Sequence, residues 1–220
     1  MRHRIVIFLG PSLDPAAAGR LLAADYRPPA KRGDITDAAV EGARIITLID
    51  GVFFQDCSVG HREILGALQQ GIQVIGASSM GALRAAELAP LGMEGVGTIF
   101  RLYRDGILTS DDEVALVYDP ETNLPLSEPL INIRCTIRAA ERDGVLSPAS
   151  AGLLLSIAQS LYFPERTWEA ICQGAGERIP PQERDRFAGF LSTSAVDQKR
   201  ADALEAIART REIAAERGLV

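Results

Sequence analysis

Three short apolar runs, each followed by a turn and then by a helical pattern, constrain the fold of this 220-residue chain. They cover residues 4–9, 44–49 and 72–75. A continuous apolar run is typical of a strand buried on both faces, as in a parallel sheet covered by helices. The pattern therefore predicts an α/β fold, with a small parallel sheet and flanking helices over residues 1 to about 120.

The remaining residues, 121–220, show helical periodicity interrupted by glycine and proline. We predict helices near residues 132–141, 149–161, 165–173, 181–190 and 195–217, which together form a C-terminal helical bundle. Arg134, Arg138 and Arg142 are spaced by four residues in the first of these helices. We expect them to form a solvated face, with a docking stripe as the alternative. The predicted domains are 1–120 and 121–220.

Composition narrows the class of protein. A net charge of −6 and a pI near 5.1 argue against a nucleic-acid surface, which needs clustered cations. Cys57, Cys135 and Cys172 are odd in number and far apart, which favours small buried residues in a reducing compartment. The apolar residues 5–9 are too few for a signal peptide, and residues 151–163 are too few to span a bilayer. We expect a soluble, cytoplasmic protein.

Small and polar residues follow each of the three apolar runs. Gly10-Pro11-Ser12 follows the first, Asp50-Gly51 the second and Ser78-Ser79 the third. Because the carboxyl ends of parallel strands meet at one edge of a sheet, these turns should converge on one crevice. The sequence therefore predicts a functional site at this edge.

The third turn carries the candidate nucleophile. Ser79, Met80 and Gly81 match the second half of a G-x-S-x-G elbow, although Ala77 occupies the position of the first glycine. A serine on such a turn is pushed out of the sheet, and its small neighbours let backbone N–H groups approach the reacting carbon. We favour Ser79 as the nucleophile and keep Ser78 as the second choice. The simpler alternative is that both serines only cap the following helix.

Several charged residues have both a functional and a structural interpretation. His61 is predicted to begin the buried face of its helix, and Arg84 lies three residues before Glu87, a spacing that suits an ion pair as well as anion binding. The acidic residues 111–113 are favoured as a helix cap with Ser110, so we expect no metal. Only two of the 23 basic residues, Lys31 and Lys199, are lysines, the basic side chain that burial can neutralise.

The N-terminal half resembles the TfuA-like family in the order and spacing of its motifs, and the match extends to about Val114. The matching segments are Gly10-Pro11-Ser12-Leu13, Pro28-Pro29-Ala30-Lys31-Arg32-Gly33-Asp34, Ile49-Asp50-Gly51, His61-Arg62-Glu63-Ile64, Gly76-Ala77-Ser78-Ser79-Met80-Gly81-Ala82-Leu83-Arg84-Ala85-Ala86-Glu87-Leu88, Gly92-Met93, Gly95-Val96-Gly97 and Tyr103-Arg104-Asp105-Gly106.

This resemblance implies a partner of YcaO-type enzymes in peptide-backbone thioamidation. It implies hydrolysis of the C-terminal thiocarboxylate of a ThiS-like sulfur carrier protein, with release of sulfide and help in holding the peptide substrate. The family's site is a Ser–Lys pair, which falls here on Ser79, or less favourably Ser78, and Lys31. No cofactor is implied.

The residues suggest roles that agree with this resemblance. Neutral Lys31 would remove the proton of Ser79, and the alkoxide would attack the thioacid carbon. The oxyanion would be held by N–H groups of Met80 and of the turns at Gly10 and Ser12 or at Asp50 and Gly51. Arg32 or Arg84 would offset the charge of the thiocarboxylate.

Two other functions compete with hydrolysis. One is a non-catalytic adaptor that binds the carrier and the peptide and stimulates a YcaO enzyme. The other is nucleotide binding, which ranks last because the chain lacks both glycine-rich phosphate-binding motifs.

Overall fold

The computed structural model describes residues 4–53 and 57–220, and these form two compact units. The sheet unit comprises Met1–Asp111 and Lys199–Val220, and the helical unit comprises Asp112–Gln198. The strands are β1 (Ile5–Phe8), β2 (Asp25–Arg27), β3 (Ile45–Leu48), β4 (Gln73–Ala77) and β5 (Glu94–Val96). The helices are α1 (Pro15–Gly19), α2 (Asp34–Val40), α3 (His61–Gln69), α4 (Met80–Leu88), α5 (Gly97–Arg104), α6 (Leu130–Arg142), α7 (Pro148–Ser160), α8 (Trp168–Ala175), α9 (Pro181–Ser194) and α10 (Gln198–Glu216).

The sheet has the order β2-β1-β3-β4-β5, and every pairing is parallel. The predicted α/β fold with a parallel sheet, flanking helices and a helical C-terminal region is confirmed. The two edge strands, β2 and β5, were not predicted, because each has only three residues and neither is a continuous apolar run. From β1 the chain first adds β2 on one side and then β3 on the other, so a crevice opens between the carboxyl ends of β1 and β3.

Alternation along β4 places helices on both faces of the sheet. Ile75 and Ala77 belong to a buried cluster that includes Ala203 and Ile207 of α10. Gly76, between them, faces α4, where an added Cβ would lie 2.9 Å from the Cβ of Ala85. Successive residues of a strand point to opposite faces, so α10 and α4 cover opposite sides of β4.

The division of the chain differs from the predicted boundary near residue 120. Helix α10 supplies Ala203, Ala206, Ile207, Ile213 and Ala214 to the core of the sheet unit, although it lies at the end of the sequence. Its apolar periodicity predicted a helix but carried no information about which surface the helix would cover.

The helical unit has its own core, formed by apolar side chains of α6, α7, α8 and α9. Trp168 packs edge to face against Phe187, with ring centroids 5.8 Å apart. The Arg166 side chain is almost fully buried and donates to the carbonyls of Ala158 and Leu161 and to the Asp112 carboxylate. Arginine can be buried in this way because acceptors surround its planar group.

Some members of the arginine and acidic clusters form ion pairs within this unit. Arg134 donates to both carboxylate oxygens of Glu113, at 2.7–3.1 Å. The expectation of a solvated arginine face is therefore wrong for Arg134, whereas Arg138 is exposed. No group of His, Cys, Asp and Glu side chains within residues 4–53 and 57–220 could hold a metal ion.

Within residues 4–53 and 57–220, none of the three cysteines forms a disulfide. Cys57 is exposed, contrary to the expectation that all three are buried, while Cys135 and Cys172 are partly buried. Burial raises the pKa of the Cys172 thiol above its ordinary value. Across the part of the chain that is described, no helix is long and apolar enough to cross a membrane.

Candidate functional site

Ser78 occupies a strained turn at the carboxyl end of β4. Its backbone has φ 64°, a left-handed value that is uncommon for residues other than glycine. The N–H of Ser79 donates to the carbonyl of Ala77 at 2.8 Å, which closes a three-residue turn centred on Ser78. Helix α4 begins two residues later, at Met80. This strand–turn–helix geometry is that of a nucleophile elbow.

The Ser78 hydroxyl is buried and has two acceptors within reach. Its single proton can be donated to the Oγ of Ser12, at 3.0 Å, or to the main-chain carbonyl of Lys199, at 2.9 Å. Ser12 comes from the turn after β1, and Lys199 comes from the first turn of α10. Three distant parts of the sequence therefore meet at this hydroxyl.

Asp50 anchors the turn after β1 from the turn after β3. One carboxylate oxygen, Oδ1, accepts the Ser12 hydroxyl at 2.6 Å. The other, Oδ2, accepts the N–H groups of Gly10 and Ser12, at 2.9 and 3.1 Å. Asp50 is only 2% exposed and spans the crevice between β1 and β3. The two N–H groups expected to hold an oxyanion thus already donate to a carboxylate.

Ser79 is also buried, but its geometry differs from that of Ser78. It has φ −112° and stands at the N-cap of α4 without a capping hydrogen bond from its side chain. The N–H of Met80, the first residue of α4, has no hydrogen-bond acceptor among the described residues. Gly51 lies beside Met80, since a Cβ added to Gly51 would be 2.9 Å from the Met80 Cγ. Met80 thus offers a backbone donor at the edge of the sheet.

Lys31 lies on a loop at the same edge. Ala30, the residue before it, pairs with Gly51 in an isolated parallel bridge. The Lys31 N–H donates to the Asp34 carboxylate at 2.9 Å, and the Lys31 side chain is exposed. Within residues 4–53 and 57–220, no hydrogen bond joins Lys31 to Ser78 or Ser79. The other lysine, Lys199, is only 2% exposed.

The remaining predicted site residues lie on the helices and loops around this edge. His61 is 51% exposed, and its Nε2 lies 2.7 Å from the carboxylate of Glu87. The prediction that His61 begins a buried face is therefore wrong. Arg84 forms the ion pair with Glu87 that its spacing indicated, at 2.7 Å, and donates from Nε to the carbonyl of Val59. The Arg32 side chain is exposed.

Two contacts of the site were not anticipated from the sequence. The carbonyl of Lys199 is 121 residues from Ser78, and no motif connects them. The Ser12–Asp50 pair joins two turns that had been predicted only to converge. A serine and an aspartate that follow neighbouring buried strands provided the signal for this second contact.

Comparison with known proteins identifies a matching family. The model of the family described as TfuA-like protein matches residues 50–167, more than half of the chain. This segment contains Asp50, Ser78 and Ser79 and begins after Lys31. No curated protein sequence matches the chain significantly. With its match to the family model, the chain belongs to the TfuA-like family.

Proposed function

We propose that this protein hydrolyses the C-terminal thiocarboxylate of a ThiS-like sulfur carrier and thereby supplies sulfide to a YcaO-type enzyme. Membership of the TfuA-like family associates the chain with YcaO-dependent thioamidation systems. The observation that carries the hydrolase assignment is the strained, buried Ser78 on a strand–turn–helix elbow. The released sulfide would be used to convert a backbone amide of a peptide substrate into a thioamide.

We assign the nucleophile to Ser78 in preference to Ser79. Ser78 has the left-handed backbone of an elbow serine and a hydroxyl held by two acceptors, whereas Ser79 has neither feature. The Ser78 oxygen attacks the thioacid carbon, and sulfur leaves as hydrosulfide to give an acyl-enzyme, which water then hydrolyses. The Met80 N–H is the proposed donor to the oxyanion.

The Ser–Lys pair implied by the resemblance requires Lys31 to approach Ser78. Lys31 is exposed, and we propose that the carrier tail covers it. Exclusion of water favours the neutral amine, which can then accept the serine proton. Lys199 is the second candidate for this role, because it is already buried and its carbonyl contacts Ser78. Arg32, beside Lys31, is the proposed cation for the thiocarboxylate.

The test is sulfide release from a thiocarboxylated ThiS-like carrier by the wild type and by Ser78→Ala, Ser79→Ala, Lys31→Ala and Lys199→Met. We expect Ser78→Ala to lose at least about a thousandfold in rate, since deletion of a nucleophile can cost up to about a millionfold. Ser79→Ala should stay within about threefold of the wild type. Lys31→Ala should also lose most of the activity if Lys31 is the base. If Lys199 is the base, Lys199→Met should lose most of the activity instead. Circular dichroism verifies that each variant is folded.

Loss in Ser79→Ala with activity retained in Ser78→Ala would move the nucleophile to Ser79. The adaptor alternative predicts a different result: no sulfide release from the wild type, but a wild-type protein that still stimulates thioamidation when free sulfide is added to the YcaO enzyme and its peptide.

A further inference from the structure

Ser78, Ser12 and Asp50 form a buried hydrogen-bonded chain with a defined direction. Ser78 donates to Ser12 at 3.0 Å, and Ser12 donates to Asp50 at 2.6 Å. All three residues are at most 3% exposed. An ionised carboxylate can only accept hydrogen bonds, and a hydroxyl has a single proton to donate. The proton of Ser12 is therefore committed to Asp50, and towards Ser78 the Ser12 oxygen can act only as an acceptor.

The direction of these hydrogen bonds determines whether the lone pairs of the Ser78 oxygen are available to a substrate. Both of its partners, Ser12 Oγ and the Lys199 carbonyl, are acceptors, and the single proton of Ser78 points to one of them or is shared between them. Neither donates to it, so the lone pairs of the Ser78 oxygen are left for the reacting carbon. A nucleophile whose lone pairs accept no hydrogen bond is more reactive than one whose lone pairs are occupied.

We infer that Asp50 is a positioning residue whose negative charge orients the Ser12 hydroxyl and, through it, the hydroxyl of Ser78. This inference rests on the proposed function in that it takes Ser78 as the nucleophile. It does not depend on which lysine accepts the proton or on the identity of the carrier.

The substitution Asp50→Asn tests the direction of the hydrogen bonds from Ser78 through Ser12 to Asp50, because an amide oxygen accepts and an amide nitrogen donates. Two backbone N–H groups, of Gly10 and Ser12, point at Oδ2, so the amide oxygen should turn to them. The amide nitrogen then faces Ser12 and donates to its oxygen. The Ser12 proton must turn towards Ser78, where it occupies a lone pair of the nucleophile.

The experiment measures the rate at which a fluorophosphonate probe labels Ser78, with the site of labelling identified by mass spectrometry. This readout needs no carrier protein. The variants are Ser12→Ala, Asp50→Asn and the double variant, with Asp185→Asn as an exposed control. We expect Ser12→Ala to slow labelling by no more than about threefold, because the Lys199 carbonyl still accepts the proton. Asp50→Asn should slow it about tenfold or more.

The double variant is decisive. Removal of the Ser12 hydroxyl also removes the reversed donor, so the double variant should be labelled faster than Asp50→Asn and about as fast as Ser12→Ala. If Asp50 only holds the turn at residues 10–12 in place, the double variant will be labelled more slowly than either single variant, and the inference is overturned. Equal rates for Asp50→Asn and Ser12→Ala would overturn it as well.

Failure of the proposed function gives a different pattern. A wild type that is not labelled at Ser78 overturns both the nucleophile assignment and this inference. A wild type that is labelled at Ser78 but releases no sulfide from the carrier overturns only the proposed substrate, and the ranking of the variants still decides the role of Asp50.

Discussion

Ser78, at the sheet edge, combines backbone strain with complete burial. Ser78 has a left-handed backbone, although it carries a Cβ, and its side chain is fully enclosed. Strain of this kind costs of order 1–3 kcal/mol and persists only where the surroundings hold the residue in place. Here the hydrogen bonds from Ser78 to Ser12 and Lys199 hold it. The stability lost at this turn is thus balanced by contacts from distant parts of the chain.

Glu128 lies in an environment that disfavours the charged form of its carboxyl group. Burial, and then the negative charge of Asp197, raise the pKa of the Glu128 carboxyl above its ordinary value. The folded protein therefore holds this proton to higher pH than the unfolded chain does. The resulting destabilisation is absent below the unfolded-state pKa and develops as the pH rises through the folded-state pKa.

We predict that Glu128→Gln increases the free energy of unfolding at pH 7, because the amide carries no charge to desolvate. The gain should disappear near pH 3, where the carboxyl is protonated in both states. Thermal denaturation at the two pH values measures the difference, with the exposed Glu121→Gln as the control. A Glu128→Gln variant no more stable than the wild type at pH 7 would contradict the prediction.

At the scale of elements, helix α5 begins at a point where it touches α10. The Asp202 carboxylate accepts the N–H of Ile99 at 2.7 Å, which satisfies a free donor of the first turn of α5. Gly97 allows this approach, because a Cβ at this position would lie 2.5 Å from the Asp202 Oδ2. Gly97 also has φ 94°, a backbone conformation that glycine adopts without strain.

We predict that Gly97→Ala lowers the free energy of unfolding by about 2–4 kcal/mol, from backbone strain and overpacking together. Gly92→Ala is the matched control, because Gly92 has φ 107° and open space around its missing side chain. It should cost only about 1–2 kcal/mol, from strain alone. Urea denaturation compares the two variants, and equal losses would show that the approach of Asp202 does not require glycine.

At the scale of the whole molecule, the last helix belongs to the first unit. Ile207 of α10 is 1% exposed and packs in the cluster that contains Ile5, Ile45 and Ile75. The sheet face beneath α10 cannot be covered until residues 198–216 have been made. We expect the stability of the sheet unit to depend on α10 as much as on its own helices.

We predict that Ile207→Ala destabilises the sheet unit by about 2–4 kcal/mol through loss of buried area and cavity formation. Hydrogen exchange should show faster opening of β1, β3 and β4. Leu154→Ala, at a site equally buried in the helical unit, is the matched control and should speed exchange in α6, α7 and α8. Unchanged protection of the strands in Ile207→Ala would contradict this role of α10.

The parts of the fold that could be predicted are those with a strong local signal. The apolar runs around Ile7, Ile46 and Val74 became the three central strands, and Asp14 caps a helix that begins at Pro15, as its sequence indicated. The edge strands β2 and β5 were missed, because they depend on pairing with β1 and β4. The burial predicted for His61 was wrong, because helical periodicity does not exclude an exposed ion pair at the end of the helix's apolar face.

By itself the sequence determined the parallel α/β architecture, the convergence of three turns at one sheet edge and the resemblance to the TfuA-like family, because these follow from patterns within short segments. Only the tertiary structure decided that Ser78 has the elbow geometry, that Asp50 accepts the Ser12 hydroxyl and that the Lys199 carbonyl accepts the Ser78 hydroxyl. The physical reason is that the interacting residues are far apart in the sequence. Each of these features depends on contacts between residues 38 to 121 positions apart, or on a dihedral angle that those contacts maintain.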